Sequence, residues 1–203
     1  MNRTDFLGPM FALPLVFAMG SGCRGPVAQI AEEQIAEAVV NQAVSAYYTA
    51  SVNVSGEYAS LTLTCTKGGT LSWAEYVDGT GEICYESEST GCEIEGENYG
   101  DLTLSGTYDV CGFPTSYNDE EAKFEDLDGK TLYIAGSVTV AGANVQERTC
   151  NYDLQVTKIN ITGDGDTLTF ASGVSGEICD RRNFSTSVEF TVTNDVEVDE
   201  SME

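Results

Sequence analysis

From Leu132 the chain reads LYIAGSVTVAG, and from Leu168 it reads LTFASGVSGEIC. In both, apolar residues recur at every second position, with Ala, Ser, Thr or Gly between most of them. Successive side chains of an extended chain point to opposite faces, so this period of two puts one face in a core and the other in water. Parallel sheets are buried on both faces and need crossover helices, so the pattern predicts antiparallel strands with one solvated side.

The alternation spreads outward from these two stretches. It is found at Val52 and Val54, at Leu61, Leu63 and Cys65, at Leu71 and Trp73, and at Leu102, Leu104, Tyr108 and Val110. It returns at Tyr152, Leu154 and Val156 and at Val188, Phe190 and Val192. Asp78-Gly79, Asp128-Gly129 and Gly163-Asp164-Gly165-Asp166 have the composition of tight turns, because Gly, Asn and Asp tolerate positive φ. The expected fold is therefore mainly β: an antiparallel sheet of about eight to ten strands over 51–198, as a curved sheet, a sandwich or a partly open barrel. Gly106, Gly136 and Gly173, near strand middles, would allow bulges or strong bending. The segments from Leu102, Leu132 and Leu168 share an apolar-x-apolar-small stem, which a duplication or strand composition alone could produce.

Before the sheet the period changes. Over 26–50, PVAQIAEEQIAEAVVNQAVSAYYTA, apolar side chains recur at helical spacing: Val27, Ile30, Ile35, Val39, Val44 and Tyr47 form a stripe that Ala31, Ala36, Val40 and Ala43 widen. Pro26 suits a first helical turn, and Glu32 and Glu33 complement the positive end of a helix. The spacing predicts one amphipathic helix that covers one face of the sheet or plugs a partly closed barrel. The stretch Thr115 to Asp128 reads as a polar surface excursion, and 199–203 as an acidic tail.

Composition excludes several functions. With 33 acidic against 9 basic residues the formal net charge is -24, which repels phosphate backbones, so no nucleic-acid partner is expected. A solvated acidic surface explains this charge, with a diffuse calcium-collecting surface as the alternative. The chain has no histidine, so Ser-His-Asp and Cys-His nucleophiles and imidazole zinc sites cannot be built. Carboxylate-pair catalysis survives that filter.

The chain has seven cysteines: Cys23, Cys65, Cys84, Cys92, Cys111, Cys150 and Cys179. The last six can close three disulfides. Cys84 and Cys92 enclose YESESTG, a spacing that suits a hairpin loop closed by its own bridge. Cys65 with Cys111 and Cys150 with Cys179 would then link neighbouring strands, though strand phase argues equally for other partners.

At the start of the chain, Phe6 to Met19 reads FLGPMFALPLVFAM, fourteen residues without a charge that contain Pro9 and Pro14. This falls short of the ~20 residues that span a bilayer, so 1–22 reads as a signal peptide. Gly20, Ser21, Gly22 and Cys23 follow at once. A small-residue run ending in cysteine behind an apolar leader resembles the lipobox of bacterial lipoprotein precursors. Gly20 departs from it, standing where that pattern prefers leucine. The resemblance implies cleavage before Cys23, acylation of Cys23 with 23–25 as the anchored start, and a place in the cell envelope at the outer membrane. Plain secretion after Ala18-Met19-Gly20 is the competing reading.

Motifs for chemistry are weak. Asp126-x-Asp128-Gly129 and Asp164-x-Asp166 lack the sixth-place glycine and twelfth-place glutamate of a calcium loop and are better read as turns. Lys67-Gly68-Gly69 lacks the spacing of a phosphate loop. Trp73, Tyr76, Tyr85, Tyr99, Tyr108, Phe113 and Tyr117 could form an aromatic platform, but Trp73 shares a strand face with Leu71, which points to core. No catalytic, metal or cofactor residue is assigned. The expected function is a cell-envelope lipoprotein displaying a non-enzymatic β domain for binding, assembly or structure. The alternatives are a lipid or lipoprotein carrier with a cavity under the sheet, and a carboxylate-dependent glycan hydrolase.

Overall fold

The computed structural model describes residues 28–53, 60–65, 67–94, 101–116, 124–142, 145–164 and 167–193. The leader, Pro26, Cys23 and the acidic tail lie outside them, as does the expected strand residue Val54. The strands are β1 (Ala28–Gln29), β2 (Ser60–Thr64), β3 (Thr70–Val77), β4 (Ile83–Ile94), β5 (Leu102–Cys111), β6 (Leu132–Gly142), β7 (Val145–Asp164), β8 (Thr167–Ile178) and β9 (Arg181–Thr193). The order β2-β3-β4-β5-β6-β7-β8-β9 is a meander in which every strand is antiparallel to the next. β2 and β9 are not paired with each other, so the sheet is open, and a sandwich of two sheets is excluded. β1 adds a short parallel pairing at the start of β7, on the length of that strand that β8 does not reach.

Helix α1 spans Glu32–Asn53, so it starts later than 26–50 and takes Ser51, Val52 and Asn53 from the expected β region. Its start has a local cause: the Gln34 side chain reaches back to accept the Ala31 N–H at 3.0 Å, satisfying a donor the helix leaves unpaired. Ala28 and Gln29 are extended instead.

The buried face is wider than the expected stripe. Ile35, Ala36, Ala38, Val39, Val40, Gln42, Ala43, Val44, Ala46, Tyr47, Tyr48, Thr49 and Ala50 are all buried, and Glu37, Asn41, Ser45 and Val52 lie on the one strip that is not. A helix buried over so much of its circumference must be largely surrounded. α1 meets β8 and β9, bonds Ser89 of β4 and lines a cleft with β2, while Arg148 of β7 holds its N-terminal end. Eight flat strands would span roughly 34 Å, and a helix is about 10–12 Å across, so the sheet must bend around α1 for one helix to touch both ends. Among the described residues, no helix is long and apolar enough to cross a membrane.

Bulges re-aim the strands. Lys158, at φ 56°, shifts the β7–β8 register between Thr157 and Asn160, so the inward set passes from Tyr152, Leu154 and Val156 to Ile159 and Ile161. Gly91 does the same in β4, between Ser89 and Cys92. Gly136 lies opposite both Tyr108 and Tyr152, and a Cβ there would come within 2.3 Å of the Thr107 carbonyl oxygen. Its bare backbone lets the two tyrosine rings flank it.

Candidate functional site

The cysteines form three bridges, Cys65–Cys92, Cys84–Cys111 and Cys150–Cys179. The expected Cys84–Cys92 bridge is wrong because Ile83–Ile94 is one continuous strand. Eight residues of strand separate the two cysteines by roughly 26 Å, against the ~7 Å limit on Cα separation in a disulfide. Cys65–Cys111 fails too: Cys84 takes Cys111, its direct cross-strand neighbour, on the outer face. Cys111 is out of phase with Val110 because it points outward. Cys150–Cys179 is the pairing common to sequence reading and structure. Cys179 and Asp180, at φ 49° and 71°, form the two-residue β8–β9 turn, and the Cys179 N–H is held by the Asn151 carbonyl at 2.9 Å.

The stretch that looked like a loop, YESESTG, carries the most unusual chemistry of the interior. Glu86 and Glu88 point to solvent, whereas Ser87 and Ser89 point in and are buried. The Ser87 hydroxyl donates to the Ser72 carbonyl at 2.9 Å and the Ser89 hydroxyl to the Leu104 carbonyl at 3.1 Å. With its proton committed, Ser89 can only accept from α1, and Gln42 Nε2 donates to it at 3.0 Å. The opposite end of that amide, Gln42 Oε1, is buried without a hydrogen-bond partner.

Gln42 lines a cleft of about 80 Å³ between α1 and the β2–β4 corner. Ala46, Leu63, Leu71, Ile94 and the Cys65–Cys92 bridge form its apolar wall, and Asn41, Ser45, Thr49, Thr64 and Glu93 its polar part. Beside it, Trp73, Ser87, Tyr108, Gly136 and Tyr152 make one inward row across β3 to β7. Trp73 Nε1 and the Tyr152 hydroxyl are buried and unpartnered in that row, and the Tyr108 hydroxyl has only a poorly formed contact with Ser87. Burial pushes the ionisation of both tyrosines well above the ordinary phenol value. Buried polar atoms normally find partners, so this concentration of unpaired ones beside a cleft marks the region.

At the rim of the interior, Tyr47 stacks on Phe113 at 4.1 Å and Trp73 on Tyr85 at 4.8 Å. The Tyr85 and Ser116 hydroxyls donate to Glu75 Oε2 at 3.1 and 2.6 Å. At the N-terminal end of α1, Arg148 meets Glu32 at 2.8 Å and Arg181 meets Glu33 at 2.7 Å. The backbone N–H of Glu33 itself and then Arg181 hold its carboxyl below the usual range.

The other sequence candidates have structural uses. Asp128 and Gly129 form a turn that clips onto β7 through the Ile161 N–H and the Ile159 carbonyl. Gly68 and Gly69 turn from β2 to β3, and Lys67 pairs with Asp101 at 2.7 Å. Within the expected polar excursion, Phe124 and Leu127 are buried. The aromatic platform is not assembled: Trp73, Tyr85, Tyr108 and Phe113 are core, Tyr76 is exposed on the outer face, and Tyr99 and Tyr117 lie outside the described residues. Gln42, Ser87 and Ser89 were not singled out from sequence, and Tyr152 only as an apolar strand position; the strict Glu-Ser alternation of 86–89 was the signal that could have found the two serines. The chain matches no family model, no curated protein and no solved structure.

Proposed function

We propose that the protein is a lipoprotein of the bacterial cell envelope, anchored to the outer membrane through acylated Cys23 and presenting a non-enzymatic β domain that binds or assembles. The observation that carries the anchor is parity. Six of the seven cysteines pair among themselves, so Cys23 is the thiol left over, and it directly follows an apolar leader and a small-residue run. One acyl chain holds a protein only marginally, while two or more hold it durably.

The binding role rests on what fills the concave side of the sheet. α1 takes the space in which a carrier would hold an acyl chain, and the cleft beside it, about 80 Å³, is well below the ~300–1,000 Å³ of ordinary ligand pockets. Hydrolysis by a carboxylate pair finds little footing here. Glu75, the rim carboxylate, already accepts two hydroxyl hydrogen bonds.

Intact-mass measurement on the membrane fraction tests the reading. A chain beginning at Cys23 with added acyl mass, and a gain of six hydrogens on reduction, is the expected result. Cys23→Ser should leave the folded chain uncleaved and unacylated. A soluble native chain beginning at Ser21 would overturn the anchor and leave a secreted protein.

A further inference from the structure

We infer that a trough on the outer face of β7–β9 binds a neutral glycan chain. This gives the binding role proposed above a ligand class, but it does not depend on the anchor. Two open depressions, of about 510 and 500 Å³, meet at Ser175, and each lies within the ~300–1,000 Å³ of ordinary ligand sites. Together they follow β8 from Ala171 to Glu177, roughly 20 Å of strand.

At mid-strand in the floor stands Gly173. The sheet itself requires Gly106 and Gly136, since a Cβ there would come within 2.0 and 2.3 Å of a backbone carbonyl oxygen. A Cβ on Gly173 would lie 3.7 Å from its nearest neighbours, two oxygens of Thr157, which is ordinary contact, and its backbone is not left-handed. The fold has no need of glycine at this position, and glycine inside a strand weakens it. Ser187 opposite it and Ala171 and Ser175 beside it are small as well. A strand floor kept this bare admits the close approach of a ligand.

The lining sets the chemistry of that ligand. Hydroxyls of Thr157, Ser185 and Ser187 and amides of Gln155, Asn160 and Asn183 supply both donors and acceptors. Val174 and Val188 border the trough but are buried in the core, so an acyl chain has no apolar wall to pack on. Each depression carries both signs of charge, Lys158 with Glu189 in one and Arg182 with Asp153 and Glu177 in the other, which disfavours a ligand of either single sign. Tyr133, 48% exposed, ends the trough with an aromatic face on which the C–H face of a pyranose rests. An uncharged chain rich in hydroxyls, with apolar ring faces, fits all of these groups.

The test is calorimetric titration of the purified full chain with maltohexaose, cellohexaose, mannohexaose and N-acetylchitohexaose, beside hexagalacturonate and hexalysine, with backbone NMR to locate the site. Saturable binding of at least one neutral hexasaccharide, with shifts around Gly173, and binding about tenfold weaker or worse for both charged hexamers are expected. Gly173→Thr places a strand-forming residue on the floor, so it should keep or raise the melting temperature while weakening that sugar about tenfold or more. Tyr133→Ala should weaken it about tenfold with the fold intact, and Tyr133→Phe should keep it. Should Gly173→Thr misfold, Ser187→Gln fills the same floor from β9 and decides. No binding of any neutral hexasaccharide, equal or tighter binding of hexagalacturonate or hexalysine, affinity unchanged in the floor variant or in Tyr133→Ala, or a native dimer that protects the β7–β9 amides overturns the site. Cleavage and acylation at Cys23 are read by mass alone, so failure here leaves the anchor reading standing, and the reverse also holds.

Discussion

The two halves of the sheet are built on different terms. From β6 to β9 the inward side chains are mostly aliphatic or phenylalanine, among them Leu132, Ile134, Val138, Leu154, Val156, Phe170, Val174 and Val188, tied by one bridge, Cys150–Cys179. From β2 to β5 the same side carries Trp73, Tyr85, Ser87, Ser89 and Tyr108, with two bridges, Cys65–Cys92 and Cys84–Cys111. The first half needs mainly to be covered, although the Tyr152 and Ser172 hydroxyls are buried in it without partners. The second needs particular partners, because inward hydroxyls and an inward amide cost free energy unless they are bonded. Gln42 adds one such partner from α1.

Four experiments break or sharpen that contrast. The largest effect is expected from the cores: Trp73→Ala and Phe170→Ala each remove a wholly buried ring and should cost about 3–5 kcal/mol in denaturant unfolding. Hydrogen exchange should separate them, with Trp73→Ala exposing amides of β2–β5 before those of β6–β9. Simultaneous loss everywhere would mean one cooperative unit and would erase the contrast.

Next come the bridges. Cys84–Cys111 and Cys150–Cys179 close loops of almost the same length, 27 and 29 residues apart. Replacing either pair by alanine should therefore cost about 3.5 kcal/mol on the chain-entropy account. Chemical denaturation that gave a difference above roughly 1 kcal/mol would show that the halves, and not the loops, set the value of a bridge.

Smaller and sharper is a pair in the polar seam. Ser89→Ala strands Gln42 Nε2 and should destabilise by about 1–3 kcal/mol, whereas Gln42→Leu removes an unpaired oxygen and leaves Ser89 bonded to Leu104, so its cost should be near zero. Melting curves that reversed this order would show that Gln42 stabilises α1 through more than its bond to Ser89.

The weakest effect appears only in alkali. Tyr108 and Tyr152 have folded ionisation values raised by burial above the unfolded value near 10. Their contribution is complete below about pH 10 and is lost as pH rises above it toward the folded values, since unfolding then releases protons. Tyr108→Phe and Tyr152→Phe should each flatten that alkaline fall. Tyrosinate absorbance appearing for these rings before unfolding would contradict it.

The dry half is the part the sequence made legible. LYIAGSVTVAG and LTFASGVSGEIC show their faces by alternation alone, since an aliphatic side chain has one destination whatever stands opposite. In β4 the same period was present in Glu86 to Ser89, but with serine in the apolar places it read as a loop, and the Cys84–Cys92 guess followed from that error. The cleft was illegible for a related reason: its lining comes from α1, β2, β3 and β4, and no spacing in the chain relates Gln42 to Ser89.

By itself, then, the sequence determined the β class, a helical stretch ahead of the sheet, a cysteine count that leaves one over, and an acidic surface without imidazole chemistry. Those follow from local geometry and from composition, which need no knowledge of neighbours. Only the tertiary structure decided which cysteines meet, that serines face inward, and that the helix is buried on all but one strip. Each of these depends on register and curvature, and both are set by contacts between residues far apart in the chain.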